Sequence, residues 1–288
     1  MTLPHWFLLG AGNIGSLAAW YLQQAGHQVT ALREIPLQPQ DKTLHWRHRT
    51  ETLAVPQQRP ADCRATIRHL LITTKTPHTV QRLRQIRAQL AEDVRVVQLQ
   101  NGLLDIRAEL PNSAHLITAL TTSAVKGQHP AHHIVAENAT WWGGSATPPD
   151  WFAALQLTWP NLSWDDEIRQ KQWYKLVVNA VINPLTAIHD VANGQIADDP
   201  AIKQQAEALC REANRILKTV DPAWAGVPFS DVLGVALATH DNTSSMRADH
   251  RQRHDTEVNA INGVLLAHAH AHGLDAPMQQ WVLDQLSR

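Results

Sequence analysis

One short motif near the start of the chain limits most sharply what it can fold into. Gly10-Ala11-Gly12-Asn13-Ile14-Gly15 fits G-x-G-x-x-G and follows an apolar run, Leu3 to Leu9, that reads as a strand. An amphipathic stretch, Gly15 to Ala25, then reads as a helix, and Gln28 to Leu32 as a second strand. In such a turn the first glycine permits the tight bend and the second lets the backbone approach a pyrophosphate. The third lets the helix pack on the strand. Free N–H groups at the helix N-terminus then face the phosphates. Strand before and helix after make this a dinucleotide-binding turn. The plainer reading is a βα turn with no ligand.

The alternation continues through the first half. His69 to Thr73, Val94 to Leu99 and His115 to Leu120 read as buried strands, with amphipathic Thr79 to Leu90 between the first two. Short apolar runs alternating with helical stretches indicate a parallel sheet. Ile134 to Ala136 and Thr140 to Trp142 flank Glu137-Asn138 and read as a hairpin, while residues 35–60, rich in Pro, Gln and Arg, show no element. Thr147-Pro148-Pro149 reads as a surface turn, and Asn161 to Asp166 as a connection between domains. Beyond it the pattern is helical: Lys171 to Ile188, Pro200 to Thr219 and Met246 to His272, with Pro and Gly clusters between them. The expected fold class is α/β. A Rossmann-type, doubly wound parallel sheet over residues 1–166 is followed by an all-helical domain over residues 167–288.

Composition removes several classes of function. Lys+Arg 25 against Asp+Glu 26 gives a net charge of −1, without the basic excess of a nucleic-acid binder. No apolar stretch reaches the roughly 18 residues that span a bilayer, and no positively charged segment precedes the first strand. Cys63 and Cys210 form no CxxC, so neither a disulfide framework nor a cysteine zinc site is expected. His268, His270 and His272 alternate, so on a helix one faces away from the other two and no metal site is expected. The reading is a cytoplasmic protein with no nucleic-acid or membrane partner.

Ligands in open α/β sheets bind beyond the carboxyl ends of the strands. Arg33 follows the second strand, where an arginine accommodates a 2′-phosphate and an acidic residue binds a ribose hydroxyl. Arg33 therefore favours NADPH, with Glu34 beside it pulling the other way; the plainer reading is a solvated arginine. Lys75, Asn101-Gly102 and Thr121-Thr122 follow three further strands, as site residues or as ordinary loop chemistry. In the helical half, Lys175, Asn179 and Asn183 recur every four residues on an otherwise apolar stretch. That stripe lines a cleft or makes a wet helix face. Pro184 would free a backbone carbonyl there. Glu257 adjoins the apolar face of the last long helix, as a cleft residue or as a surface partner of Arg253.

Taken together, these motifs resemble the ketopantoate reductases (2-dehydropantoate 2-reductases) over nearly the whole chain. The resemblance rests on Gly10 to Gly15, Lys75, Leu99-Gln100-Asn101-Gly102, the run from Lys175 through Asn179 and Asn183-Pro184-Leu185-Thr186 to Ile188, and Asn193-Gly194. Ser244-Ser245-Met246 and Thr256-Glu257 through Asn262-Gly263 complete it. It implies NADPH-dependent reduction of 2-dehydropantoate to (R)-pantoate, toward pantothenate and coenzyme A, by a monomer or homodimer. The family's pattern implies Lys175 as proton donor, with Asn179, Asn183, Asn193 and Ser245 on the substrate. It puts Glu257 on the cofactor ribose, Lys75 and Asn101 where cofactor and substrate meet, and Gly10, Ala11, Gly12, Asn13, Ile14, Gly15 and Arg33 on the cofactor. Two other readings share the same halves: a dehydrogenase of another 2-keto or hydroxy acid, and a nucleotide-sensing protein without catalysis.

Overall fold

The structure is a computed structural model and describes residues 3–38, 41–144 and 147–286. Strand β1 (His5–Leu9) runs through the glycine turn into α1 (Asn13–Gln24) and back as β2 (Gln28–Leu32). There follow β3 (Asp41–His45), β4 (Thr50–Ala54), β5 (Gln57–Gln58), β6 (Ile67–Ile72), α2 (Thr76–Ile86) and β7 (Leu90–Leu99). Next come β8 (His115–Thr121), β9 (Ala124–Gln128), β10 (Ala131–Ala136), β11 (Thr140–Gly143), α3 (Phe152–Thr158) and β12 (Leu162–Asp165).

The main sheet has the order β12-β11-β8-β7-β6-β1-β2-β5. From β8 to β5 all pairings are parallel, with Leu8 of β1 opposite Ala31 and Leu71. Strands covered on both faces need apolar side chains on both, and Leu70, Leu71, Ile72, Val96 and Val97 are fully buried. Sequence order runs outward from β1 through β2 on one side and from β6 through β7 on the other. The switch point therefore lies between β1 and β6, directly beyond the glycine turn.

A second sheet, β4-β3-β10-β9, takes two of its strands, β3 and β4, from the stretch in which the sequence showed no element. Only one face of β3 is fully buried, and it carries Lys42 and Leu44. A buried lysine reads as solvent-facing in a polarity pattern, which hides the strand; Pro39 and Gln40 lie outside the described residues. The hairpin expected around Glu137-Asn138 does not form. Its first run is in β10, paired with β3 and β9, whereas its second is β11, paired with β8 and β12. Asn161 to Asp166 is likewise more than a connection, since Leu162–Asp165 forms the edge strand β12. Ring packing fills the core behind the main sheet: Trp142 meets Trp6 at 6.3 Å and Trp159 at 5.6 Å, both edge to face.

The remainder is helical: α4 (Ile168–Ile188), α5 (Gln195–Asp198), α6 (Pro200–Val220), α7 (Phe229–Ala238), α8 (Ser245–Arg251), α9 (Val264–Ala271) and α10 (Pro277–Leu286). Helix α6 starts at a strong signal. Asp199 accepts from the N–H groups of Ala201 and Ile202 at 2.8 and 3.1 Å, and Pro200 follows it. The continuous helix expected from Met246 to His272 is broken. α8 stops at Arg251, Arg253 takes φ 57°, and Asn259–Gly263 forms a π turn before α9. Val177, Val181 and Leu185 of α4 share a core with Leu209 and Ile216 of α6, Leu265 of α9 and Val282 of α10.

Two compact units divide the chain: Met1–Gln100 with Asp105–Ile168, and Asn101–Leu104 with Arg169–Arg288. The excursion at 101–104 has a local cause. Leu103 N–H donates to Ala260 O at 2.8 Å, and Gly102 (φ +71°) would place a Cβ 2.5 Å from that same oxygen. Only glycine allows this approach of the segment to the π turn.

Candidate active site

In the first unit the glycine turn has the backbone a phosphate cradle requires. Gly10 (φ +99°) would place a Cβ 2.4 Å from Thr74 N, and one on Gly15 would lie 1.9 Å from Gly10 O. Around Gly12 the space is open, with nothing within 4 Å of a Cβ position. Asn13 and Ile14 open α1 behind Gly12, and Ala11 is buried. Ser16 closes the first turn, its hydroxyl donating to Gly12 O at 2.6 Å.

Arg33 sits one residue past the end of β2, with its backbone N–H bonded to Gln58 O at 2.9 Å. Burial first, and then repulsion from Arg82, pulls its guanidinium below the ordinary arginine range. Arg82 of α2 was not singled out from the sequence, because on an amphipathic helix it reads as part of a solvated face. Two converging cations are costly unless an anion joins them. Lys75 is exposed at the N-cap of α2, just beyond β6. Gln100 braces this end of the sheet by donating to Thr79 Oγ1 at 2.7 Å.

In the second unit α4 presents the expected polar stripe. Asn183 is buried, while Lys175 and Asn179 are half-buried. Pro184 has no N–H for Ala180 O, as expected. The freed carbonyl accepts instead from Asn262 Nδ2 at 2.9 Å, and the same amide group donates to Gln279 Oε1 at 3.0 Å. Asn262 is fully buried. The π turn that carries Asn262 is thus fixed against α4, and Glu257 lies just ahead of it. π turns of this kind recur at functional sites.

Lys175 and Glu257 act on each other. Burial lowers the lysine's pKa from 10.5 to about 8, and the Glu257 carboxylate pulls the other way. Glu257 Oε2 also accepts from Asn101 Nδ2 at 3.4 Å. A cleft is lined by Asn183, Ser245, Met246, Asp249, Glu257 and Ile261. The candidate residues Asn183, Ser245 and Glu257 therefore share one cleft, with Lys175 and Asn101 linked to it through Glu257. Asn193 is not among that lining: its Nδ2 donates to Thr239 Oγ1 at 3.0 Å, and its buried Oδ1 has no partner among the described residues.

The position of Ser245 depends on two ties from α8 to the end of α4. Ser244 caps α8 by accepting from Arg247 N–H at 3.0 Å, and its hydroxyl meets Thr186 Oγ1 at 2.7 Å. Asp190 (φ 54°) accepts from Arg247 Nε at 3.0 Å and from Arg251. The two guanidinium groups hold the Asp190 carboxyl down at about 2. These tethers were not foreseen, since Asp190 and the arginines lie some 60 positions apart in sequence. Among the described residues no group of three or more His, Cys, Asp or Glu could hold a metal ion, and no helix is long and apolar enough to cross a membrane.

Fold and site put the chain among Rossmann-type proteins carrying an appended helical unit. Residues 6–147 match the family described as ketopantoate reductase PanE/ApbA, and residues 167–288 match ketopantoate reductase PanE/ApbA C terminal. The chain belongs to the ketopantoate reductase family. It is 29% identical to a 2-dehydropantoate 2-reductase of Shigella flexneri, over 98% of this chain and 93% of the relative. It is also 29% identical to one of Vibrio cholerae, over 97% and 95%. The fold matches that of a dimeric ketopantoate reductase from Staphylococcus aureus at a TM-score of 0.84, with 20% identity over 98% and 97% of the two chains. A D-mandelate dehydrogenase solved with NADH and anilino(oxo)acetate matches at 0.85, with 16% identity over 98% and 97%.

Proposed function

We propose that this chain catalyses the NADPH-dependent reduction of 2-dehydropantoate to (R)-pantoate, a step toward pantothenate and coenzyme A. The observation that carries the reading is Lys175 on α4, four residues ahead of Asn179 and eight ahead of Asn183, beside the Glu257 carboxylate that acts on it, in a family whose full-length relatives are named for this reaction. Residues 1–166 hold the cofactor and residues 167–288 supply the substrate site. The enzyme works in the cytoplasm as a monomer or homodimer. The two cysteines, both free and buried, suit a reducing compartment.

The residues fit the cofactor. Gly10 to Gly15 offer phosphate an open approach at Gly12, and Arg33 with Arg82 gives a 2′-phosphate two cations to neutralise. Lys75 and Asn101 contact the cofactor near the substrate, and Glu257 takes a ribose hydroxyl. Bound NADPH supplies a hydride to the ketone carbon. Lys175 holds the proton that the ketone oxygen receives, and its charge stabilises the negative charge developing there. A pKa near 8 keeps the ammonium charged at neutral pH yet ready to give up its proton. Asn179, Asn183 and Asn193 orient the substrate's hydroxyl and carboxylate without adding charge, and the Ser245 hydroxyl donates to the carboxylate.

The test follows NADPH absorbance with 2-dehydropantoate, pyruvate and benzoylformate in turn. A kcat/KM for 2-dehydropantoate at least about tenfold above the others is expected, since a site built to bond a substrate hydroxyl rejects acids lacking one. Preference for benzoylformate would move the chain to the 2-hydroxy-acid dehydrogenases instead. NADPH binding without turnover of any keto acid would favour nucleotide sensing.

A further inference from the structure

The second sheet places a buried cation directly behind the glycine turn. Lys42, on β3, is 2% exposed, and its ammonium donates to Ala11 O and to Ser16 Oγ, the latter at 2.8 Å. Neither acceptor is charged. The charged neighbour that acts on it is Arg33, which repels it. From the same sheet, His132 Nδ1 donates to Asn13 Oδ1 at 2.7 Å. A buried ammonium without a carboxylate is expensive, and this one makes its contacts to the glycine turn at Ala11 and to the first turn of α1 at Ser16.

The geometry of the peptide gives that expense a purpose. In a trans peptide the N–H points opposite to the C=O. An ammonium that grips the Ala11 carbonyl therefore turns the Gly12 N–H away from the protein interior. The space around Gly12 is open. The cation also polarises the peptide it grips, which strengthens the N–H as a donor in a low-dielectric setting. We propose that Lys42 is a positioning residue for the cofactor's pyrophosphate, aiming and polarising the Ala11–Gly12 peptide from behind, with His132 holding Asn13 in the first turn. The proposal rests on the dinucleotide reading of the turn.

Ligands that differ only in what reaches the turn test it. ADP carries the pyrophosphate, whereas adenosine 2′-monophosphate carries only the group assigned to Arg33. Affinities of NADPH, ADP and adenosine 2′-monophosphate are measured for wild type and Lys42→Met by calorimetry or competition, alongside the melting temperature. NADPH and ADP are expected to weaken about tenfold while adenosine 2′-monophosphate holds within about twofold, the size of one charge-assisted contact. Equal loss for all three ligands, or no loss for ADP, overturns the proposal. If Lys42→Met does not fold, wild type supplies the test through pH. Lys42 titrates at about 8, because burial and then Arg33 lower it. The groups facing it are Arg33, charged throughout, and His132, which burial and then Lys42 hold down at about 4 and therefore neutral. ADP affinity should then fall between pH 7 and 9.5 while that of adenosine 2′-monophosphate stays level; two level profiles overturn the assignment. Wild type that binds neither NADPH nor ADP refutes the dinucleotide reading beneath it, a failure visible before any variant is made.

Discussion

Glu257 keeps on Lys175 a charge that burial works to remove. The lysine's enclosure takes its pKa from 10.5 to about 8, and the carboxylate limits that fall while also accepting from Asn101. In the proposed reduction the charged ammonium is the acid. In the direction of keto-acid reduction, kcat should therefore be level below about pH 8 and decline above it.

Replacing Glu257 by Gln removes the opposing charge and leaves the side chain's size unchanged. The alkaline limb should move toward lower pH by about one unit, since a neighbouring opposite charge moves a pKa by about 1–3 units. The cofactor KM should rise as well. An unmoved profile with unchanged KM values would return Glu257 to the surface role first considered beside Arg253.

On the proposed reading Arg33 selects NADPH over NADH. Arg33→Ala should weaken NADPH and leave NADH nearly unchanged, lowering the preference at least roughly tenfold for the loss of a charge-assisted contact. Arg82→Ala should act in the same direction. Kd values for both cofactors measure this, and equal losses would remove the 2′-phosphate assignment.

Asn262 repairs the backbone that Pro184 breaks. Asn262→Leu strands Ala180 O, and a buried unpaired carbonyl should cost about 1–3 kcal/mol. Adding Pro184→Ala restores an N–H for that carbonyl, so the double variant should recover part of the loss. Denaturant melts of both single variants and the pair measure the coupling. Simple additivity would mean that the two sites are independent.

Asp190 ties α8, and with it Ser245, to the end of α4. Its carboxyl sits at about 2 in the fold, below the ordinary 3.8. A depressed carboxyl lends stability that is fully present above the unfolded value and is lost as pH falls through the folded one. Wild type should lose melting temperature from about pH 4 down toward 2, and Asp190→Asn should lack that component. The same variant should raise the keto-acid KM with little effect on NADPH affinity. A KM unchanged from wild type would mean that α8 holds its place without the clamp.

The glycine turn and the α4 stripe were legible because each concentrates its chemistry in a few adjacent positions. Even the orphan carbonyl could be anticipated from Pro184, although not that Asn262 would satisfy it. Strand β3 was illegible for a specific reason: Lys42 occupies an inward position, so its alternation reads as polar. The supposed hairpin failed because strand propensity carries no information about the partner, and β10 and β11 joined different sheets. The break after α8 has no Pro or Gly at Gln252 to Thr256 to announce it. Asn101 was placed at a strand end, yet the close approach of Gly102 to Ala260 carries it into the helical unit.

The central claim concerns Lys175, and the kcat of Lys175→Ala for 2-dehydropantoate under saturating NADPH tests it most directly. The account predicts a folded variant with a melting temperature no lower than wild type's near neutral pH, because a desolvated charge has gone. NADPH affinity should be retained, since the glycine turn belongs to the other unit. kcat should fall by about 10²–10⁴, the contribution of a positioned general acid, and the alkaline limb should vanish. A folded Lys175→Ala that turns over at the wild-type rate would contradict the account.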